Sequence, residues 1–123
     1  MKPYATRECF DKDSHLLGIS SLAENDFFAQ LAKVENWRSF WLVVNDARDE
    51  GRWIKPLKYG YGGRPLGWIQ SSFINFAPEP NDIRPDDVEN SAIFISGGES
   101  HGLWADVVSG ELHDFVCEKP LNM

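Results

Sequence analysis

The spacing of apolar positions changes along the chain, from helical in the first third to continuous or alternating afterwards. Residues from Tyr4 to about Lys12 fit one short helix that contains Cys9. A better signalled helix starts at Ser21-Leu22-Ala23-Glu24, a capping box in which the serine accepts an early backbone N–H and the glutamate reaches back. Leu22, Phe27, Phe28 and Leu31 then form a broad apolar face expected to pack into the core, and the helix is expected to end near Lys33. Phe40 to Val44 is aromatic and β-branched without helical spacing, so it reads as a buried central strand ended by Asn45-Asp46.

Residues 55 to 90 carry Pro56, Pro65, Pro78, Pro80 and Pro85 and the glycine-rich run Tyr59-Gly60-Tyr61-Gly62-Gly63. This punctuation predicts a long loop without extended elements, and its aromatics Tyr59, Tyr61, Trp68, Phe73 and Phe76 favour an ordered, packed one. Three short strands are then expected at Ala92–Ser96, Leu103–Val108 and His113–Lys119, separated by Gly97-Gly98 and Gly110. Helices first and an antiparallel meander last make an α+β domain.

The chain has 123 residues with 42% hydrophobic and 25% charged positions, which fits one globular domain spanning 1–123. No apolar run approaches the roughly 18 to 20 residues of a spanning helix, so membrane insertion is not expected. A net charge of -7 disfavours nucleic acid, whose binding draws on clustered Lys and Arg. The acid is concentrated: Glu79, Asp82, Asp86, Asp87 and Glu89 face a single base, Arg84, between Glu79 and Asn90. Such a run is either a solvated loop or a set of cation ligands. Cys9 and Cys117 lie too far apart for a zinc motif, and their residues alone allow either a long-range disulfide or two separate thiols. After Met1-Lys2-Pro3 no apolar leader segment follows.

Taken in order, several short motifs resemble the C-type lectin-like domain. They are Ala5-Thr6-Arg7-Glu8-Cys9, His15-Leu16-Leu17-Gly18-Ile19, Phe40-Trp41-Leu42-Val43-Val44-Asn45-Asp46, Glu50-Gly51-Arg52-Trp53, Asn75-Phe76, Glu79-Pro80-Asn81, Glu89-Asn90, Trp104-Ala105-Asp106 and Phe115-Val116-Cys117-Glu118-Lys119. Each is weak alone; their common order covers most of the chain. The resemblance implies two helices with antiparallel strands and a long ligand-binding loop. It also implies a Cys9–Cys117 disulfide and a secreted or extracellular setting. The family's second disulfide is absent, Ser91 and Ser109 standing in its two places. The resemblance begins at the first helix, so the family's N-terminal strand is expected to be missing, which would leave an edge beside the C-terminal strand unpaired.

The same resemblance implies Ca2+ as cofactor. Glu79, Asn81, Glu89 and Asp106 match the family's sugar-binding calcium site, with Pro80 at the position that the family holds in cis. The order Glu-Pro-Asn is the family's pattern for mannose-type sugars, including N-acetylglucosamine and fucose. Asp46, Glu50, Asp82 and Asn90 match an auxiliary calcium site that would fix the loop. Ala105 departs from the pattern, since an asparagine there would ligate calcium and donate to a sugar hydroxyl. Its loss is expected to cost on the order of 1 to 3 kcal/mol of sugar binding.

The expected function is therefore a calcium-dependent lectin whose partners are glycans or glycoproteins, weakened by Ala105. The alternative is a lectin-like interaction domain that meets a protein or another surface through the long loop without needing sugar, with Tyr59, Tyr61 or Trp68 in contact. An enzyme is not expected, because no nucleophile with a base and no phosphate loop is visible. His15, His101 and His113 are dispersed and read as structural, and Trp41, Trp53 and Trp104 as core.

Overall fold

The structure, a computed structural model, describes residues 2–46, 52–60, 65–77, 91–107 and 110–118. Helix α1 (Lys2–Asp11) turns Ala5 and Cys9, one helical turn apart, into the core. Ser14 closes its end by donating from both N and Oγ to the Cys9 carbonyl, at 2.9 and 2.6 Å. Strand β1 (His15–Leu16) follows, then helix α2 (Leu22–Val34). Ser21 caps α2 as its sequence requires, accepting from the Glu24 N–H at 3.2 Å, while Glu24 reaches back to the N–H of Ser20 at 2.7 Å. Asn36, at φ 57°, ends the helix and lets the Trp37 N–H reach the Ala32 carbonyl at 2.9 Å.

The buried stripe of α2 differs from the expected one. Leu22 and Phe27 are about 60% exposed, and the residues sunk into the core are Asn25 and Ala32, with Phe28 and Ala29 packed beside them. Apolar count overstated this face because the sheet surface beneath it is crowded by Trp104 and Gly102, where a small or polar side chain fits better than a ring.

Strand β2 (Phe40–Asn45) is the centre of the six-stranded sheet. It pairs antiparallel with β3 (Ile54–Tyr59) and with β5 (Ser91–Phe94). Outside these, β4 (Pro65–Gln70) pairs with β3, and β6 (Trp104–Val107) pairs with β5. The short β7 (Asp114–Phe115) runs parallel to the start of β2, so the last strands do not form a simple antiparallel meander. After Val116 the chain leaves that sheet, and β8 (Cys117–Glu118) pairs antiparallel with β1. The C-terminal strand thus has a partner in His15–Leu16, and the expected bare edge is occupied on that side.

The largest departure from the expected loop lies at Ile54–Tyr59 and Pro65–Gln70, which form the paired strands β3 and β4. Pro56 and Pro65 are tolerated because the hairpin forms the margin of the sheet: β3 touches β2 only at Asn45↔Ile54, and β4 is exposed throughout.

Two core clusters share the β2 layer. Phe40, Leu42, Val44, Phe94 and Trp104 pack under α2, and Trp41, Ile93 and Leu16 pack under α1. Cys9 and Cys117 are joined, with Cα atoms 5.3 Å apart, and tie α1 to β8 across 108 residues. Among the described residues no helix is long and apolar enough to cross a membrane.

Candidate functional site

Strand register brings one end of the sheet into focus. Asn45 lies opposite Ser91, and Ser91 opposite Val107, so β2 ends, β5 begins and β6 ends at one level. Asp46 directly follows Asn45 and is buried. Asp106 precedes Val107, lies across from Ala92 and is half-buried. Two carboxylates from strands far apart in sequence are thereby carried to the same sheet end. Glu50, Glu79, Asn81, Asp82, Glu89 and Asn90, with Pro80 and Ser109, lie outside the described residues. Among the described residues no three metal-binding side chains converge.

What leads into the 78–90 segment is well fixed. Trp104 is fully buried and donates its indole N–H to Asn25 Oδ1 at 2.8 Å. The Asn25 amide in turn donates to the Gly102 carbonyl at 2.7 Å, and Asn75 donates to the same carbonyl at 2.9 Å. Backbone bonds complete the junction: Trp104 N–H to the Asn75 carbonyl at 2.8 Å and Ala77 N–H to the Trp104 carbonyl at 2.9 Å. Phe76 bridges Trp104 in parallel, so residues 75–77 run alongside β6 toward the end that bears Asp106. Gly102 makes this geometry possible. Its φ is 90°, and a Cβ there would stand 3.3 Å from the Ala29 Cβ. His101 secures the same turn, accepting at Nδ1 from the Gly97 N–H at 2.7 Å; its Nε2 must then carry the proton and donate to the Ala29 carbonyl, also at 2.7 Å.

Aromatic packing supplies the rest of the support. Trp53 and Phe76 lie 4.6 Å apart, and Phe73 and Phe76 meet Trp104 edge-on at 5.7 and 5.6 Å. Ser71 N–H donates to the Trp53 carbonyl at 2.9 Å, which ties the exit of the hairpin to its entry. Both cysteines are used in the one disulfide, so this cluster and the Asn25–Gly102–Asn75 bonds hold the approach to the loop. Asn25 was the residue the sequence reading passed over; its visible signal was an amide interrupting the α2 stripe.

Ala105 lies in β6 opposite Ile93 and packs against the core under α1, so its methyl is a fitted part of the sheet. Lys2 reaches the end of β2 and donates to the Val44 carbonyl at 2.9 Å. Burial lowers its pKa to about 8, and the nearby Asp46 carboxylate counters part of that fall. Asp46 is therefore already in the field of an ammonium. Tyr59, stacked on His15 with ring centroids 3.6 Å apart, has its hydroxyl pKa pushed up, first by burial and then by Glu118. Trp41 and Trp104 are fully buried and Trp53 nearly so, as expected of core aromatics, while Trp68 is 39% exposed.

The family profile described as Lectin C-type domain matches residues 3–119. The chain belongs to the C-type lectin domain family. A C-type lectin domain is in general a binding module rather than an enzyme. Bovine pulmonary surfactant-associated protein D is 33% identical over 115 residues, which is 93% of this chain and 27% of that protein. This C-type lectin domain thus spans about a quarter of the length of the curated relatives it matches. Among solved structures, the carbohydrate-recognition domain of cow CD23, determined in the presence of a GlcNAc2Man3 oligosaccharide, is 30% identical with a TM-score of 0.64, covering 94% of this chain and 77% of that one. A calcium-independent type II antifreeze protein shares the fold with a TM-score of 0.63 at 20% identity, covering 94% and 75%.

Proposed function

We propose that this domain binds carbohydrate in a calcium-dependent manner, with a preference for mannose-type sugars. The observation that carries the reading is the strand register at one sheet end. Asp106 on β6 lies at the level where the segment bearing Glu79, Asn81, Glu89 and Asn90 joins β5 at Ser91. Carboxylate and amide oxygens are the hard donors that calcium prefers. Glu79, Asn81, Glu89 and Asp106 would hold the ion, and calcium when bound supplies open coordination positions for paired sugar hydroxyls. The cow CD23 carbohydrate-recognition domain, whose structure was determined in the presence of a GlcNAc2Man3 oligosaccharide, supports the same class of ligand.

Two features set the expected strength. Ala105 removes one ligand and one donor. Asp46, the first residue of the auxiliary set, shares its charge with Lys2, so Asp46, Glu50, Asp82 and Asn90 form the weaker of the two sites. Binding to a mannose-bearing glycan array in calcium, abolished by EDTA and by Glu79→Ala, supports the proposal; absence of binding at high protein concentration and valency sinks it. Secretion follows as part of this reading, in keeping with the Cys9–Cys117 disulfide.

One observation favours a second reading, a protein-binding domain that needs no sugar. The β3–β4 hairpin leaves Leu57, Leu66, Trp68 and Ile69 each exposed, Leu66 and Trp68 on one of its faces and Leu57 and Ile69 on the other. Under that reading Trp68→Ala weakens capture of a protein partner while Glu79→Ala leaves it intact, and the reverse pattern rejects it.

A further inference from the structure

Beneath the hairpin, α1, the end of β2 and strands β3 and β4 enclose a cleft of about 320 Å³. Its walls are apolar: Phe10, Leu16, Val43, Pro56, Pro65 and Trp68. Neither Asp46 nor Asp106 lines it, so it is distinct from the carboxylates of the proposed calcium site. The volume lies at the low end for small-molecule sites, and at about 30 Å³ per water it has room for roughly ten non-hydrogen atoms. Phe10 and Trp68 remain 42% and 39% exposed at this cleft, apolar surface that a bound ligand would cover.

Lys2 is the one lysine, arginine, aspartate or glutamate among the described lining residues, and the other polar groups come from Thr6, Ser14, His15, Asn45 and Tyr59. Lys2 lines the cleft, and of its three ammonium hydrogens one goes to the Val44 carbonyl. His15 sets its ring flat on Tyr59, and its Nδ1 lies 2.8 Å from the Leu16 carbonyl, a pure acceptor, so that nitrogen carries the proton. The acidic neighbour of Lys2 is Asp46, and that of Tyr59 is Glu118. One ammonium set among apolar walls selects an anion with a hydrocarbon body.

We propose that this cleft is a second binding site, for a small amphiphilic carboxylate such as a medium-chain fatty acid, its chain against Phe10, Val43 and Trp68 and its carboxylate at Lys2. Binding there needs neither sugar nor calcium, and the ligand would share Lys2 with the neighbouring Asp46 carboxylate.

The test is isothermal titration calorimetry of the whole chain in EDTA with octanoate, and with octan-1-ol as the uncharged control. Octanoate should saturate at one site with a Kd of about 1 mM or tighter, the range that about ten ligand atoms support. Lys2→Met should weaken octanoate roughly tenfold while moving octan-1-ol less than about twofold, because only the carboxylate loses a charge-assisted bond. Thr6→Trp, at an exposed α1 position on the cleft, should weaken both by obstruction and does not disturb the core. No saturable octanoate binding, an equal affinity for acid and alcohol, or an unchanged affinity in Thr6→Trp would each overturn the proposal. Running in EDTA keeps this outcome separate from that of the sugar site, since failure of either leaves the other standing.

Discussion

Replacing Asn25 by alanine tests what holds the platform of the candidate site. Asn25 is 2% exposed and bridges α2 to β6, accepting from the Trp104 indole at 2.8 Å and donating to the Gly102 carbonyl at 2.7 Å. Truncation leaves a fully buried indole N–H without its acceptor, a loss of about 1 to 3 kcal/mol. The Gly102 carbonyl keeps Asn75 as a donor, so the second lost bond adds only about 1 kcal/mol. A total near 3 kcal/mol follows. With a urea slope of about 1 to 3 kcal/mol/M, the unfolding midpoint should fall by roughly 1 to 3 M. Asn75→Ala removes one of two donors to a carbonyl that stays satisfied, and should cost about 1 kcal/mol. The double variant strips Gly102 of both, so its cost should exceed the sum of the two by about 1 kcal/mol. Urea denaturation followed by tryptophan fluorescence reads all three. A loss under about 1 kcal/mol for Asn25→Ala, or strict additivity in the double variant, would refute the reasoning.

Other outcomes follow from the same geometry. Gly102→Ala, strained at φ 90° and pressed 3.3 Å from the Ala29 Cβ, should destabilise by about 1 to 3 kcal/mol in the same assay, whereas Gly98→Ala, with open space around it, should lose less. Replacing both Cys9 and Cys117 by serine opens a loop of 108 residues and should cost about 4 to 5 kcal/mol in the chain-entropy account, read as a fall in thermal midpoint that added reductant does not deepen. Lys2 has a folded pKa of about 8 against 10.5 unfolded, so the unfolded chain holds the extra proton between these values and stability rises as pH climbs through that window. Below pH 8 both states are charged and the folded one bears the net cost of the buried ammonium, about 3 kcal/mol. Lys2→Met should therefore exceed the wild type in stability at pH 7, with the gap closing toward pH 10; a gap independent of pH would reject that origin.

Legibility in the sequence followed how local each signal was. The Ser21–Glu24 cap and the Phe40–Val44 run report on their own neighbours, and α2 and β2 sit where they place them. Tyr59 to Pro65 misled because glycine and proline punctuate loops and sheet-edge hairpins alike; what distinguishes β3 and β4 is mutual pairing from Ile54↔Gln70 to Tyr59↔Pro65, a non-local property. The α2 face misled because apolar count cannot register that Trp104 needs an acceptor, which Asn25 provides and Phe27 could not. For the site, the motif order named Asp46 and Asp106, and strand register is what carries both to one sheet end. The coupling of Asp46 to Lys2, forty-four residues upstream in sequence, depends on how α1 lies against β2 and has no sequence signature.

Calcium titration calorimetry on the wild type and on Ala105→Asn, each with and without methyl α-mannoside, tests the central claim most directly. The account predicts calcium binding by both proteins, tighter in Ala105→Asn by roughly tenfold to a hundredfold, with mannoside binding gained or strengthened in that variant and lost in EDTA. Failure of both proteins to bind calcium, or mannoside binding that EDTA leaves unchanged, would contradict it.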